Sequence, residues 1–556
     1  MAVERRLPIG YYADNFRIVL GTAAERYGDL LTEAESAFYD GFTELSTPAQ
    51  RLYVRLVSRK GPRFRRDRLD YPEIPDLDRA LGELRDAGFA DDAPDDEVDL
   101  LLSLLLRPEL ADLVRELTGL SPGAAPRGGL EQSLIREVET AVLRRAVRER
   151  VEVIRPLHAD HVETFRLLFF GNLHQDWTEF VLRDLGVVRF ESYELRHDLR
   201  RFASRGALED SLLLYGLRDA FHRLLAADRE REAMRTAELV LDRAEAFHPS
   251  THRLRDHVLE QAGRHLERQG RLDDALRFYR AAKRPPARER RARVLARLGK
   301  VEEALALCHR IEEGHRDETE ARFAPRFAHQ LRRRMGEKLP PRRRRHRPAA
   351  TLAVERRDGA AVEQLALEAL EAGGRRGFFS ENWLWQGLFG LAFWDVVFAP
   401  VEGAFQHPFQ YGPLDLHSPD FRAARAAAVE RRLDELRSDP APGPRLMAVY
   451  DAKRDVANRL VAWHQELRPL FELALSRLHG RHLAIVCDRL SRDVRRYRRG
   501  FPDLFVLDDE IEAGFRLYEV KGPGDQLRPE QKTWLDYFND QGIRASILRV
   551  RWKGAV

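Results

Sequence analysis

The segment FPDLFVLDDEIEAGFRLYEVKGP, residues 501–523, constrains the fold of this chain more than any other stretch. Two apolar runs are separated by an acidic segment that contains glycine, which is the pattern of two neighbouring β-strands. Side chains two positions apart on a strand point to the same face, so Glu519 and Lys521 share a face and Val520 points to the other. Pairing of the two strands is expected to bring Asp503, at the start of the first strand, close to Glu519.

Further strands and a helix are predicted around this pair. HLAIVCD (482–488) is interpreted as a fully apolar strand, and ASILRVRW (545–552) as the last strand. Between the last two strands, LRPEQKTWLDYFNDQG (527–542) has a proline early and a glycine at its end, as helices do. The pattern predicts a mixed sheet flanked by helices at the C-terminus of a multidomain, mostly α-helical chain.

Asp503, Glu519 and Lys521 are the candidate catalytic residues. Two carboxylates on one sheet face repel each other unless they are protonated, paired or bridged by a cation. Their oxygens suit Mg²⁺ or Mn²⁺, as one or two ions, and such ions polarise phosphoryl groups and activate water. Only eight of the 94 basic residues are Lys, so Lys521 is an unusual choice, and its compact ammonium suits a role beside the attacking water. Gln531, on the following helix, is predicted to support this site. The alternative to a catalytic site is a pair of exposed acids beside a lysine salt bridge.

A basic cluster near the N-terminus is the candidate DNA-binding surface. The pI of about 9.0 and the arginine-rich runs favour a polyanionic partner, most simply nucleic acid. In STPAQRLYVRLVSRKGPRFRRDR (46–68) a helix is followed by a Gly-Pro break, and Tyr53 and Phe64 are interleaved with basic residues. This arrangement suits a helix and wing on a phosphate backbone, with a solvated charged face as the alternative. The basic residues are Arg55, Arg59, Lys60, Arg63, Arg65 and Arg66.

Two helical modules are expected to follow. Residues 101–138 read as two short helices around a loop rich in Gly, Pro and Ala, similar to a SAP domain, with Arg127 as its basic DNA-binding residue; a plain helical hairpin is the alternative. GRLDDALRFYR (270–280) and GKVEEALALCHR (299–310) repeat with an offset of 29 residues, which resembles tetratricopeptide helix pairs. The predicted domains are an N-terminal basic helical domain, a SAP-like module, a helical scaffold and a C-terminal α/β domain, at 1–98, 99–140, 141–345 and 346–556.

The composition limits where such a chain works. Two cysteines, Cys308 and Cys487, are too few for a cysteine-rich zinc finger and favour a reducing compartment. The most apolar stretch, FFSENWLWQGLFGLAFWDVVF (378–398), carries Glu381 and Asp395 and is interpreted as a buried core helix, not a membrane span. No secretory signal is expected, because the first residues lack an apolar run.

The motifs together resemble the Fanconi-associated nuclease family, whose catalytic module is a VRR-NUC domain of the PD-(D/E)xK nuclease superfamily. The resemblance rests on YYADNFRIVL, STPAQRLYVRLVSRK, the SAP-like stretch, VEQLALEAL, LFGLAFWDVVF, PLDL, and FPDLFVL through EVKGPGDQL. It implies metal ligands at Glu381, Asp503, Glu519 and the carbonyl of Val520, with Lys521 as the catalytic lysine.

The resemblance also implies an activity. The implied activity is that of a structure-specific DNA nuclease, which acts as a 5′-flap endonuclease and as a 5′–3′ exonuclease of the phosphodiesterase I type. The implied role is DNA repair, including the repair of interstrand crosslinks. The implied partner is branched or flapped DNA. No ubiquitin-binding zinc finger is expected in this chain, and the implied location is the bacterial cytoplasm at the nucleoid. The alternatives are a non-catalytic scaffold that binds DNA junctions and a restriction-type endonuclease.

Overall fold

The computed structural model describes residues 8–59, 61, 63–93, 97–175, 188–340, 345–511 and 513–553. The chain divides into two compact units, residues 1–187 and 188–556. Both are rich in α-helix, and the larger sheet lies at the C-terminus, as predicted.

The N-terminal unit consists of short helices around a small sheet. Its helices are α1 (Tyr11–Tyr27), α2 (Glu33–Glu44), α3 (Thr47–Ser58), α4 (Leu77–Asp86), α5 (Val98–Leu102), α6 (Arg107–Thr118), α7 (Arg127–Glu137), α8 (Thr140–Arg148) and α9 (Ala159–Phe170). Its strands are β1 (Phe64–Arg65), β2 (Ala90–Asp91) and β3 (Val153–Pro156).

The small sheet crosses the predicted domain boundaries. Its order is β1-β3-β2 and both pairings are antiparallel, with Phe64 opposite Ile154 and Ala90 opposite Pro156. Because β3 follows both predicted boundaries, at 98 and 140, this sheet joins segments that the sequence had assigned to separate domains. Helices α6 and α7 match the two helices predicted for the SAP-like stretch, and they bury Leu110, Leu113, Leu130 and Leu134 against one another.

The first part of the second unit contains the later part of the predicted helical scaffold, whereas its earlier part, including α9, belongs to the first unit. Its helices are α10 (Arg205–Ala226), α11 (Glu230–Asp242), α12 (His252–Arg268), α13 (Leu272–Ala281), α14 (Ala287–Arg297), α15 (Val301–Glu313) and α16 (Glu318–Arg334). The repeated motifs form the second helices of two successive pairs, α12–α13 and α14–α15. Gly270 and Gly299 make the equivalent turns, at φ values of 79° and 77° that favour glycine.

The second part is an α/β domain with a five-stranded mixed sheet. Its strands are β4 (Ala349–Val354), β5 (Gly377–Phe379), β6 (Leu504–Leu507), β7 (Phe515–Lys521) and β8 (Ala545–Trp552). Its helices are α17 (Val362–Ala372), α18 (Leu384–Ala392), α19 (Trp394–Val397), α20 (Asp420–Ala423), α21 (Ala426–Ser438), α22 (Gly443–Lys453), α23 (Leu467–Leu475), α24 (Gly480–Arg492), α25 (Val494–Tyr497) and α26 (Pro529–Asp540).

The strand order is β4-β8-β7-β6-β5. Strand β8 runs parallel to both β4 and β7, whereas β6 is antiparallel to β5 and to β7. Val520 and Tyr518 face a core that includes Leu365 and Leu370 of α17. Leu517 faces the larger core on the opposite side of the sheet, under α18, α24 and α26. No helix in the described part of the chain is both long and apolar enough to cross a membrane.

Two predicted elements of this domain were wrong. HLAIVCD is not a strand but part of helix α24, because Leu483, Val486 and Leu490 are buried at helical spacing and the run is too short to show the period by itself. The apolar stretch from 378 is not one helix: its first residues belong to β5, a turn follows, and the helix starts only at Leu384. Glu381 lies in that turn.

Candidate active site

The β6–β7 pairing places the two predicted carboxylates side by side. Leu504 is opposite Tyr518 in this antiparallel pair, so the next position puts Asp503 across from Glu519. Asp503 is buried, and its Oδ2 accepts a hydrogen bond of 2.7 Å from the backbone N–H of Val520. The prediction that these two residues meet on one hairpin therefore matches the geometry.

Lys521 is held on the same face by Glu519. Its Nζ donates a hydrogen bond of 2.7 Å to Oε1 of Glu519, and the side chains of Lys521 and Glu519 are only 12% and 0% exposed. The second carboxylate oxygen of Glu519, Oε2, is buried and has no hydrogen-bond partner among the described residues. A buried carboxylate oxygen of this kind is costly unless a cation or proton is bound there.

Glu381 is attached to the site through the backbone of its turn. The N–H of Ser380 donates to the carbonyl of Asp503 over 2.8 Å, and the hydroxyl of Ser380 donates to the carbonyl of Pro502 over 2.9 Å. Glu381 itself is half-buried. These bonds fix the turn beside Asp503. Among the described residues, no group of three or more His, Cys, Asp or Glu side chains is close enough together to hold a metal ion.

The electrostatics of the site are those of crowded, poorly compensated carboxylates. Burial raises the pKa of Asp503, and the charge of Glu381 raises it further. Burial and the charge of Asp503 raise the pKa of Glu519, against the hydrogen bond from Lys521. Burial also raises the pKa of Glu381, while Lys521 and Arg528 act in the opposite direction. The site therefore disfavours its own ionised form in the absence of a cation.

The donor set fits a hard divalent cation. Asp503, Glu519 and Glu381 supply carboxylate oxygens, which are the ligands that Mg²⁺ and Mn²⁺ prefer. Oε2 of Glu519 lacks a partner, and Oδ1 of Asp503 makes no hydrogen bond to any described residue, so both can accept a cation. The ligand predicted at Val520 is its carbonyl oxygen, and the N–H of the same residue fixes Asp503.

Gln531 is positioned by the first turn of α26. It is buried, and its Oε1 accepts a hydrogen bond of 2.8 Å from the backbone N–H of Arg528. Gly500 packs so tightly on this turn that a Cβ there would lie 2.7 Å from Glu530. Gln531 thus caps α26 and fixes the start of the helix close to the segment that leads into Asp503.

The predicted DNA-binding arginines differ in how free their guanidinium groups are. Arg59 is exposed, donates to the hydroxyl of Tyr71 over 2.8 Å and lies over the ring of Phe64. Arg55 lies over the ring of Tyr12 and bonds Glu73 at 2.6 Å. Both retain exposed surface that phosphate can reach.

Arg65 does not fit the predicted DNA-binding role. Its side chain is 6% exposed, and its guanidinium lies 2.6 Å from both Asp67 and Glu109. Because a buried, doubly paired guanidinium is not presented to solvent, Arg65 serves to hold this unit together.

The remaining members of the predicted surface are partly engaged or not described. Arg66 pairs with Asp78 at 2.6 Å, and Arg63 is half-buried. Arg127 bonds Glu131 and the carbonyls of Leu102 and Ser103, so it fastens α7 as well as offering charge. Lys60 lies outside the described residues.

Two features of the second unit escaped the sequence analysis. Glu363, in the first turn of α17, adds a fourth acidic charge that raises the pKa of Asp503 and Glu381. In VEQLALEAL it is indistinguishable from an ordinary acidic residue at a helix start. The second feature is an arginine cluster around His417: burial, followed by these arginine charges, lowers the pKa of His417 to about 4. Its arginines are Arg498, Arg459, Arg495 and Arg253.

Comparison with known families gives two matches along the chain. The model of the FAN1 HTH domain matches residues 10–91, which contain the basic cluster. The model of the VRR-NUC domain matches residues 442–552, which contain Asp503, Glu519 and Lys521.

Whole-chain relatives extend these matches. A Fanconi-associated nuclease 1 homolog of Pseudomonas aeruginosa is 34% identical over 557 residues, an alignment that covers 98% of this chain and 96% of the relative. Fanconi-associated nuclease 1 of Homo sapiens is 25% identical, and its alignment covers 98% of this chain but 63% of the human protein.

Solved structures give the same picture. A crystal structure of paFAN1 bound to DNA with a 2-nt 5′ flap and a gap superposes with a TM-score of 0.83 at 32% identity and covers 100% of both chains. A second paFAN1 complex, with a 1-nt 5′ flap and a gap, gives a TM-score of 0.80 and covers 99% of this chain and 100% of the other.

Proposed function

Because the chain belongs to the Fanconi-associated nuclease family, we propose that it is a structure-specific nuclease that cleaves DNA at 5′ flaps with a divalent cation. The family and the VRR-NUC domain make the chain a nuclease, as the sequence motifs predicted. The flap preference is supported by the two similar paFAN1 structures, both of which hold 5′-flap DNA.

One observation carries the catalytic proposal: Asp503 and Glu519 lie side by side, with Lys521 bonded to Glu519 and Oε2 of Glu519 without a partner among the described residues. Glu381, Asp503, Glu519 and the carbonyl of Val520 are the groups that would hold Mg²⁺ or Mn²⁺. A cation bound there supplies positive charge to the phosphate and lowers the pKa of a water molecule.

The protein groups have distinct parts in this proposal. Asp503 is fixed by the N–H of Val520, so its free oxygen keeps a constant position at the start of β6. Glu519 holds the ammonium of Lys521 at the same face. Lys521 then places a positive charge beside the attacked phosphate, where negative charge increases in the transition state. Gln531 supports the site by fixing the start of α26.

DNA binding is assigned to the N-terminal unit and to the arginines near His417. Arg55 and Arg59, with Arg63, Arg66 and Arg127, would contact phosphates of the duplex, which gives affinity without base specificity. The proposed activities are 5′-flap incision and 5′–3′ exonuclease cleavage, and the proposed role is DNA repair that includes interstrand crosslinks.

A panel of labelled substrates tests the proposal. The purified chain is incubated with Mg²⁺ or Mn²⁺ and with 5′-flap, 3′-flap, nicked, plain duplex and single-stranded DNA. We expect the 5′ flap to be cut fastest and EDTA to stop the reaction. Equal cutting of every substrate would remove the structure-specific claim, and tight flap binding without any cleavage would favour a junction-binding scaffold.

A further inference from the structure

Arg528 is an exposed arginine whose backbone is fixed close to the catalytic residues. It lies seven residues after Lys521, immediately before α26. Leu527 packs against the large core, and Gln531 is buried and accepts the N–H of Arg528 over 2.8 Å. The backbone is therefore held on both sides, while the side chain of Arg528 is exposed.

Among the described residues, no acidic side chain forms an ion pair with Arg528. Other arginines of the same domain have carboxylate partners at short distances: Arg516 with Asp508 at 2.9 Å, and Arg347 with Asp536 at 2.7 Å. The described residues place no carboxylate within ion-pair distance of the Arg528 guanidinium. An arginine in this state keeps its planar set of donors available for an incoming phosphate.

The start of α26 lies against the segment that leads into Asp503. Gly500, three residues before Asp503, packs on Glu530 and Gln531 with no room for a Cβ. Gly522, directly after Lys521, donates its N–H to Asp525 over 2.9 Å, which folds the connecting loop back.

We propose that Arg528 binds a DNA phosphate one or two nucleotides from the scissile phosphate and so positions the cleaved strand over Asp503 and Glu519. This inference rests on the proposed nuclease function. It assigns the scissile phosphate to the carboxylates and Lys521, and the neighbouring phosphate to Arg528. Arg528 is then a positioning residue that acts on substrate placement.

The test combines protein variants with single neutral phosphates in the DNA. Wild type, Arg528→Ala, Arg528→Lys and the control Arg544→Ala are compared on 5′-flap DNA carrying one methylphosphonate at successive positions around the incision site. Arg544 is a matched control because it is exposed, lacks a carboxylate partner among the described residues, and lies at the opposite end of β7 and β8 from Lys521. Dissociation constants in Ca²⁺ and single-turnover rates in Mg²⁺ are both measured.

We expect Arg528→Ala to weaken binding about 10-fold, as the loss of a charge-assisted hydrogen bond predicts. Arg528→Lys should recover part of this loss, and Arg544→Ala should change little. At one position the methylphosphonate should weaken DNA binding by wild type about 10-fold. The same substitution should leave binding by Arg528→Ala unchanged, because this variant already lacks the contact with that phosphate.

The outcomes separate this inference from the proposed function. Arg528 does not bind a phosphate if wild type cleaves the flap but Arg528→Ala binds DNA as tightly as Arg544→Ala. The same conclusion follows if the losses of affinity caused by Arg528→Ala and by the methylphosphonate are additive at every position. If wild type cleaves nothing, the nuclease proposal fails, while the dissociation constants still decide whether Arg528 contacts the backbone.

Discussion

Lys521 donates a hydrogen bond of 2.7 Å to Glu519 on the same face of β7, and neither side chain has substantial access to solvent. This pair explains why a chain that otherwise uses arginine has a lysine at this position. The ammonium is small enough to lie beside a buried carboxylate and still present protons to a third group, whereas a guanidinium is longer and planar.

The first prediction concerns this lysine. Lys521→Ala should lower the single-turnover rate of flap cleavage by about 10²–10³-fold, since a preorganised positive charge at the phosphate is lost. Lys521→Arg should not recover the rate, because the guanidinium does not fit the same buried position. Binding of flap DNA in Ca²⁺ is the control and should change much less. Full activity of Lys521→Arg would contradict the geometric argument.

The second prediction is that a catalytic carboxylate destabilises the metal-free protein. Burial raises the pKa of Asp503 to about 7, so the folded state binds more protons than the unfolded state between pH 4 and 7. Stability contributed by the protonated group is present at low pH and is lost as the pH rises through the folded pKa. Asp503→Asn removes this loss, because the amide carries no charge at any pH.

In EDTA at pH 8, Asp503→Asn should therefore be more stable than wild type by about 1–3 kcal/mol while cleaving no DNA. Thermal unfolding between pH 4 and 8 measures the difference, which should grow as the pH rises. A variant that is less stable than wild type throughout this range would show that the ionised carboxylate is well compensated in the fold.

The third prediction distinguishes two arginines of the N-terminal unit. Arg65→Ala should lower the free energy of unfolding by about 1–3 kcal/mol, because it leaves Asp67 and Glu109 without their shared partner. Arg59→Ala should leave stability unchanged and reduce the salt dependence of DNA binding by about one unit of slope. Chemical denaturation and binding titrations at several salt concentrations measure the two effects. The opposite assignment of effects would return Arg65 to the DNA-binding surface.

The fourth prediction tests the start of α24. A Cβ at Gly480 would lie 2.0 Å from the carbonyl oxygen of Leu436 and 2.4 Å from that of Asp439, and backbone atoms cannot move aside as a flexible side chain can. Gly480→Ala should lower the free energy of unfolding by about 3 kcal/mol. Gly216→Ala is the control, because Gly216 is exposed in the middle of α10 and a Cβ there would contact nothing. This change should raise the free energy of unfolding by about 0.5–1 kcal/mol. Equal unfolding midpoints for the two variants would refute the close packing of α24 on α21.

The hairpin was predictable because two apolar runs are separated by a short acidic segment that contains glycine, so the turn between them is local. From that pattern the common face of Glu519 and Lys521, the opposite face of Val520 and the approach of Asp503 all follow. The last strand and the helix before it were also predictable, since proline and glycine mark the ends of the helix.

Other parts of the site depend on contacts distant in sequence. Helix α24 was interpreted as a strand because a run of seven residues, five of them apolar, does not show a helical period without its neighbours. Strand β5 has three residues, and its pairing with β6 depends on a segment more than a hundred residues away. Glu363 and Arg528 lack any local signal: one resembles an ordinary acid at a helix start, and the other is one arginine among 86.

Whether Asp503 and Glu519 form the catalytic centre is tested by the single-turnover cleavage rate of a labelled 5′-flap duplex by Glu519→Gln relative to wild type, at saturating protein with Mg²⁺. Glutamine keeps the size of the side chain and removes the charge that the buried Oε2 offers to a cation. We expect flap DNA to be bound with similar affinity and the cleavage rate to fall by at least about 10²-fold. Cleavage at the wild-type rate would show that the pair formed by β6 and β7 is not the catalytic centre.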